Sequence, residues 1–185
     1  MIVVIFAHPY PRHSRACAAL VKAIEGVDGV QVRSLYDRYP DFDVDAEAER
    51  AALAPARLVA WLHPTYWYAA PALLHLWFER VLVKGWAYGD GGTALAGKDC
   101  LWITTTGGDE ASYTPAGRHA HPFEAGVPVR EQTARFCGMN WLDPFVVHGA
   151  HIVDDATLAA AAEKLHARLA AYAAGADAPM QGAAR

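Results

Sequence analysis

Five short apolar runs, each followed by a helix-like stretch, constrain this chain more than any other feature. The first is "MIVVIFA", where residues 2–7 are β-rich and uncharged. Runs at 30–36, 57–63, 99–105 and 144–148 read as strands in the same way. Helical patterns follow them at 14–25, 45–53, 71–83, 128–137 and 154–174. Ser14 falls at an N-cap position, and Pro71 falls in a first turn, where its missing N–H costs little. Strand and helix in strict alternation predict an α/β fold, a doubly wound five-stranded parallel sheet with helices on both faces.

The chain has 185 residues and reads as a single domain over 1–175, with a frayed tail at 176–185. Two stretches stand outside the alternation, a glycine-rich excursion "GWAYGDGGTALAGK" at 85–98 and an irregular segment at 106–127. A composition 54% hydrophobic and 19% charged provides ample core. The formal charge of −4 argues against a nucleic-acid partner. Cys17, Cys100 and Cys137 are odd in number and form no CxxC, which fits a reduced, cytoplasmic setting. Residues 58–78 carry no Asp, Glu, Lys or Arg, yet Pro64 and Pro71 divide them, so a membrane span is not expected.

In such sheets ligands bind beyond the carboxyl ends of the strands. Three loops therefore meet in space, at 8–17, 64–68 and 105–108. The first holds His8, Arg12, His13 and Arg15, and no carboxylate precedes Glu25. A helix begins at its end, where unpaired N–H groups and the dipole favour an anion such as phosphate. The loop reads equally as a capped helix with a solvated basic approach. A thiol at Cys17, in the first turn, is expected to have a lowered pKa. The second loop, "PTYWYAAP", sets three aromatics side by side, to stack on a planar ligand or to pack in a core or dimer interface. The third, "TTTGGDE", provides glycines that let a ligand approach the backbone, or an ordinary turn. A phosphate at one end and a flat ring at the other describe a mononucleotide such as FMN. No GxGxxG follows the first strand, which disfavours a dinucleotide. His119-x-His121 and His148-x-x-His151 have the look of ligand pairs, but no thiol spacing supports a structural metal and none is expected.

"AHPYPRHS" at 7–14, "SLYDRYPDFDVD" at 34–45, "HPTYWYAAPALLHLWFERV" at 63–81, "GWAYGDGGTALAGK" at 85–98, "TTGG" at 105–108 and "CGMNWLDPF" at 137–145 together resemble the NAD(P)H:quinone oxidoreductases of the flavodoxin-like fold. Within that family the likeness is to the branch that accompanies glutathione-regulated potassium-efflux systems. The resemblance implies non-covalent FMN, a homodimer with its sites at the subunit interface, and two-electron transfer from NADH or NADPH to a quinone with ping-pong kinetics. It also implies an alternative role as a regulatory subunit on the cytoplasmic face of a potassium-efflux antiporter. By motif, His8, Ser14, Arg15, Ala16 and Cys17 would hold the phosphate. Thr65, Tyr66, Trp67 and Tyr68 would line the ring, and Thr105, Thr106, Gly107 and Gly108 its polar edge. Tyr113 and His119, spaced after TTGG as in the larger quinone reductases, would be catalytic, with His121 able to replace His119. The chain departs from its relatives at Cys17, where they carry asparagine, and at Thr65-Tyr66, where they carry Met-Gln.

Overall fold

The computed structural model describes residues 1–175; the expected frayed tail at 176–185 lies outside them. Strands β1 (Ile2–Phe6), β2 (Val30–Ser34), β3 (Leu58–Pro64), β4 (Asp99–Thr105), β5 (Asn140–Trp141) and β6 (Phe145–Val147) form one parallel sheet. Its order is β2-β1-β3-β4, with β5 and β6 sharing the outer side of β4. Helices α1 (Arg15–Glu25), α2 (Leu35–Arg38), α3 (Ala46–Leu53), α4 (Ala72–Val81), α5 (Val127–Phe136) and α6 (Asp155–Ala173) complete the fold.

Alternating side chains of the strands feed two cores. Ile2, Val4 and Phe6 face α1 and α6, joined by Leu20, Ile24, Leu165 and Leu169. Val3, Ile5 and Ala7 face the other layer, joined by Leu53, Leu73, Leu74 and Trp77. β1 and β3 are buried along their whole length, as parallel strands covered on both sides must be. The apolar stretch at 58–78 is thus a central strand followed by a helix. Among the described residues no helix is long and apolar enough to cross a membrane.

Two elements differ from expectation. The second strand ends at Ser34 rather than residue 36, because its neighbour β1 ends at Phe6 opposite Ser34 and offers no further partner. The chain turns at once into α2. The expected fifth strand at 144–148 is the second half of a broken edge. Asn140–Trp141 pairs with the start of β4, and Phe145–Val147 with its end. Cys100 to Ile103 faces Trp141 to Phe145, so the edge carries one extra residue, as at a bulge. Pro144, which has no N–H to donate, lies in the break. Two helix starts carry an aspartate cap. Asp45 accepts from Ala48 N–H and Asp154 from Thr157 N–H.

One buried carboxylate ties four elements on the α3–α4 side. Glu49 receives Arg33 from β2, Tyr39 Oη at 2.6 Å and Trp77 Nε1 at 2.9 Å. Burial alone would raise this carboxyl, but the bonds from Arg33, Tyr39 and Trp77 outweigh it and hold it below the ordinary range. Its stabilisation is therefore present in full above the unfolded value near 4.3 and is lost as pH falls through the lower folded value. Glu49→Gln should cost about 3 kcal/mol at pH 7 by stranding the buried Arg33. Urea unfolding at pH 7 and across pH 5 to 2 measures both effects, and the variant should lose part of the acid-dependent slope.

Candidate functional site

The crossover after β1 leads to one face of the sheet and the crossover after β3 to the other. A crevice opens between them at the carboxyl edge. There a cleft of about 710 Å³ is lined by His8, Ser14, Ala16, Thr65, Tyr66, Trp67, Thr105, Thr106 and Gly107 among others. The three loops expected to meet do meet.

One end of the cleft is the start of α1. Ser14 occupies the N-cap position with extended backbone, but its side chain accepts no bond from the helix, contrary to the expected capping. The first-turn N–H groups keep their donors and the positive end of the dipole. His8 is nearly buried, and Tyr10 N–H donates to its Nδ1 at 3.0 Å. The neutral ring must then carry its proton on Nε2, as a second donor. Burial lowers its pKa, so neutrality at pH 7 is its resting state. Arg15 points elsewhere. Its guanidinium donates to the Val153 carbonyl (2.6 Å) and Asp155 (2.5 Å), pinning the start of α6 and leaving only its backbone at the helix start.

Cys17 corrects an expectation. Its side chain is 1% exposed and joins the core below the cleft, 3.4 Å from Thr105 Oγ1. Burial pushes the thiol pKa up, against weaker opposing bonds from Thr105 and Ser14, so the helix start does not make it acidic.

The aromatic loop is a two-residue turn. Tyr66 N–H and Ala69 carbonyl pair at 3.2 Å, and Ala69 N–H and Tyr66 carbonyl at 2.9 Å. Trp67 (φ 50°) and Tyr68 (φ 60°) both lie in the left-handed region, which such hairpin turns require and which normally selects Asn-Gly. L-residues there cost roughly 1–2 kcal/mol each. Trp67 is nonetheless 94% exposed and Tyr68 71%. They are not core residues of this chain.

The third loop presents backbone. Thr105 and Thr106 side chains are buried. No acceptor among the described residues takes the Gly107 or Gly108 N–H. A methyl at Gly108 would meet His119 Nε2 at 2.7 Å, so glycine is needed for the imidazole to rest there. His119 Nδ1 lies 3.1 Å from Tyr68 Oη, and its ring stacks on Tyr113 at 4.2 Å. Tyr113, His119 and His121 border a second, aromatic cavity of about 320 Å³ with Thr65, Tyr68, Trp102 and Phe123. Thr65 and its neighbours thus separate two adjoining spaces. Burial holds the Tyr113 phenol above its usual pKa.

The remaining histidines divide. No cluster of three or more metal-ligating side chains occurs among the described residues. His75 is exposed on α4. His63 is fully buried. Its Nδ1 donates to the Pro64 carbonyl and its Nε2 accepts from Trp102 Nε1, both at 2.9 Å, and burial drives its pKa down to about 3. His148 bonds Thr106 at 2.9 Å, a partner that no spacing in the sequence could indicate.

The known family described as flavodoxin-like fold matches residues 1–169. This chain belongs to that family. It is 48% identical over 173 residues, 93% of this chain and 97% of the relative, to the glutathione-regulated potassium-efflux system ancillary protein KefF of Citrobacter koseri, and therefore falls in the KefF branch. KefF of an Enterobacter species is 47% identical, covering 91% of this chain and 95% of its own. Among solved structures, general stress protein 14 of Treponema denticola in complex with FMN superposes with a TM-score of 0.83 at 27% identity, covering 95% of this chain and 99% of that one. A structure named as a thermophilic tryptophan halogenase superposes at 0.86 with 30% identity, over 91% and 98%. One fold can host unrelated activities, so function must be argued from the site.

The burial of all three cysteines has a direct consequence. In the native protein at pH 8, no thiol should react with Ellman's reagent within minutes. All three should react in denaturant.

Proposed function

We propose that the chain binds FMN in the crevice between β1 and β3 and acts as an NAD(P)H:quinone oxidoreductase of the KefF branch. The observation that carries this reading is the Gly107 N–H at the wall of the cleft, with that of Gly108 beside it, both without an acceptor among the described residues. At the far end of the same cleft are the donors of a helix start. Donors at both ends and aromatic side chains between them fit a phosphate joined to a flat polar-edged ring. The FMN complex of the Treponema denticola relative supports the choice of ligand.

In this reading the α1 N–H groups of Arg15, Ala16 and Cys17, with Ser14 Oγ and His8 Nε2–H, bind the phosphate. Among the described residues no carboxylate lines the cleft, and Asp155 is engaged by Arg15. Thr65, Tyr66, Trp67 and Tyr68 line the ring, and the 105–108 loop takes its polar edge. Bound FMN would supply the two-electron exchange between NADH or NADPH and a quinone, each using the same face in turn. Tyr113 Oη, kept protonated by its raised pKa, and His119 at Gly108 supply a proton or hydrogen bond to the acceptor oxygen. Trp67 and Tyr68 stand exposed on one chain. A second copy would cover them, giving a homodimer with its sites at the interface.

A second reading has its own support, since the KefF relative is named as an ancillary protein of a potassium-efflux system. There the flavoprotein sits on the cytoplasmic side of an antiporter and regulates it, with turnover secondary. The two roles are compatible. Fast menadione reduction by the isolated protein favours the first as a role in its own right. Negligible turnover by a yellow protein favours the second.

The purified protein, supplied with FMN and desalted, should show the two near-visible flavin bands; a colourless product removes the proposal. In the loaded protein, Tyr113→Phe and His119→Ala should each lower kcat/KM for menadione by about 10²-fold, the range of a lost acid–base group.

The turn at 67–68 makes a further expectation of opposite signs. Trp67→Gly should relieve about 1 kcal/mol of left-handed strain and raise the flavin-free Tm by roughly 2–4 °C. The same change should weaken FMN binding by about tenfold through lost stacking. Calorimetry and fluorescence titration measure the pair.

A further inference from the structure

The turn that follows β6 grips the glycine loop from outside the cleft. Thr106 N–H donates to the Val147 carbonyl (3.0 Å), Ala150 N–H to the Thr106 carbonyl (2.8 Å) and Gly149 N–H to the Gly108 carbonyl (2.8 Å). These bonds use the carbonyls of the loop and leave the Gly107 and Gly108 N–H groups uncommitted. One side chain completes the clasp. Thr106 Oγ1 donates to the Gly108 carbonyl at 2.7 Å and lies 2.9 Å from His148 Nδ1. A hydroxyl has a single hydrogen. With that hydrogen on Gly108, the contact to His148 is a bond donated by Nδ1–H, which leaves Nε2 as the bare nitrogen. This is the less common tautomer of a free imidazole, so a specific partner is selecting it. The His148 ring also abuts Tyr113 (5.5 Å) and Phe123 (5.3 Å), so it touches both the glycine loop and the aromatic cavity. Burial lowers its pKa, against the pull of Glu110, Glu124 and Asp109, which keeps the ring neutral at pH 7.

We propose that His148 is a positioning residue: through its Nδ1–H bond to Thr106 it holds the 106–108 loop so that the Gly107 N–H stays presented at the cleft, with that of Gly108 beside it. The ligand they receive rests on the FMN reading above, whereas the clasp itself does not. Without the imidazole, Thr106 Oγ1 keeps its bond to Gly108 and its contact with Tyr113, but only backbone bonds tie the loop to the turn after β6. The N–H groups then spend more time away from the geometry that binds a ring edge.

Two variants separate the bond from the ring. His148→Phe keeps an aromatic against Tyr113 and Phe123 but donates nothing. His148→Asn places a side-chain N–H at the position of Nδ1. In the full chain without flavin, amide exchange at Thr106, Gly149 and Ala150 should be about tenfold faster in His148→Phe and within about threefold of wild type in His148→Asn. FMN titration should show the same ranking, with Kd raised about tenfold for Phe and nearly unchanged for Asn. Nitrogen-15 NMR of the wild-type imidazole should report the Nδ1–H tautomer and needs no variant, so it decides even where His148→Phe does not fold. The proposal is overturned if Phe matches wild type in exchange and Kd, if Asn falls as far as Phe, or if the ring is the Nε2–H tautomer. A wild-type protein that binds no FMN overturns the flavin reading instead, while exchange and tautomer still judge the clasp.

Discussion

The separation of β1 from β3 at their carboxyl ends is the constraint on which the rest of the site depends. Parallel neighbours must be joined by crossovers, and here the crossover leaving β1 lies on one face and that leaving β3 on the other. No side chain can close the gap that results, because the two chains diverge from it. Everything of chemical interest is delivered to that gap by the ends of rigid, fully buried strands. The start of α1 comes from β1, the aromatic turn from β3 and the glycine loop from β4. The precision of the site is therefore the precision of the sheet.

At this gap the molecule leaves local energies unfavourable. A helix start has no side-chain cap, two glycine N–H groups lack acceptors among the described residues, two consecutive aromatics adopt left-handed backbone, and Trp67 stands in water. Away from the gap, several other polar groups are fully partnered. Asp45 and Asp154 cap their helices, and Glu49 is satisfied by Arg33, Tyr39 and Trp77. The starts of α2, α4 and α5 also lack a side-chain cap, but at α1 the open donors border the cleft, where a ligand can use them.

The alternation of apolar runs with amphipathic stretches was enough for the fold, because period and length decide strand against helix where both faces of a sheet are buried. The meeting of the loops at 8–17, 64–68 and 105–108 was legible for the same reason, since topology alone brings carboxyl ends together. The broken edge at 140–147 was not legible. A two-residue strand has no periodicity, and its existence depends on β4 being there to pair with it. The end of the second strand at Ser34 was hidden likewise, since only the length of β1 limits it.

By itself the sequence determined an α/β layering, the position of a site at one edge of the sheet, and the chemical character of that site: donors at one end, aromatics and glycines at the other. These follow from residue type and order, which set local structure and its direction. Tertiary structure alone decided which atoms of those residues face the site. Cys17 turned into the core, Arg15 turned to Asp155, and His148 became the partner of Thr106 rather than half of a metal pair. The physical reason is that side-chain direction at a given backbone position is fixed by what packs behind it. For Cys17, Arg15 and His148 those neighbours lie 42 to 140 residues away along the chain, or on another layer altogether.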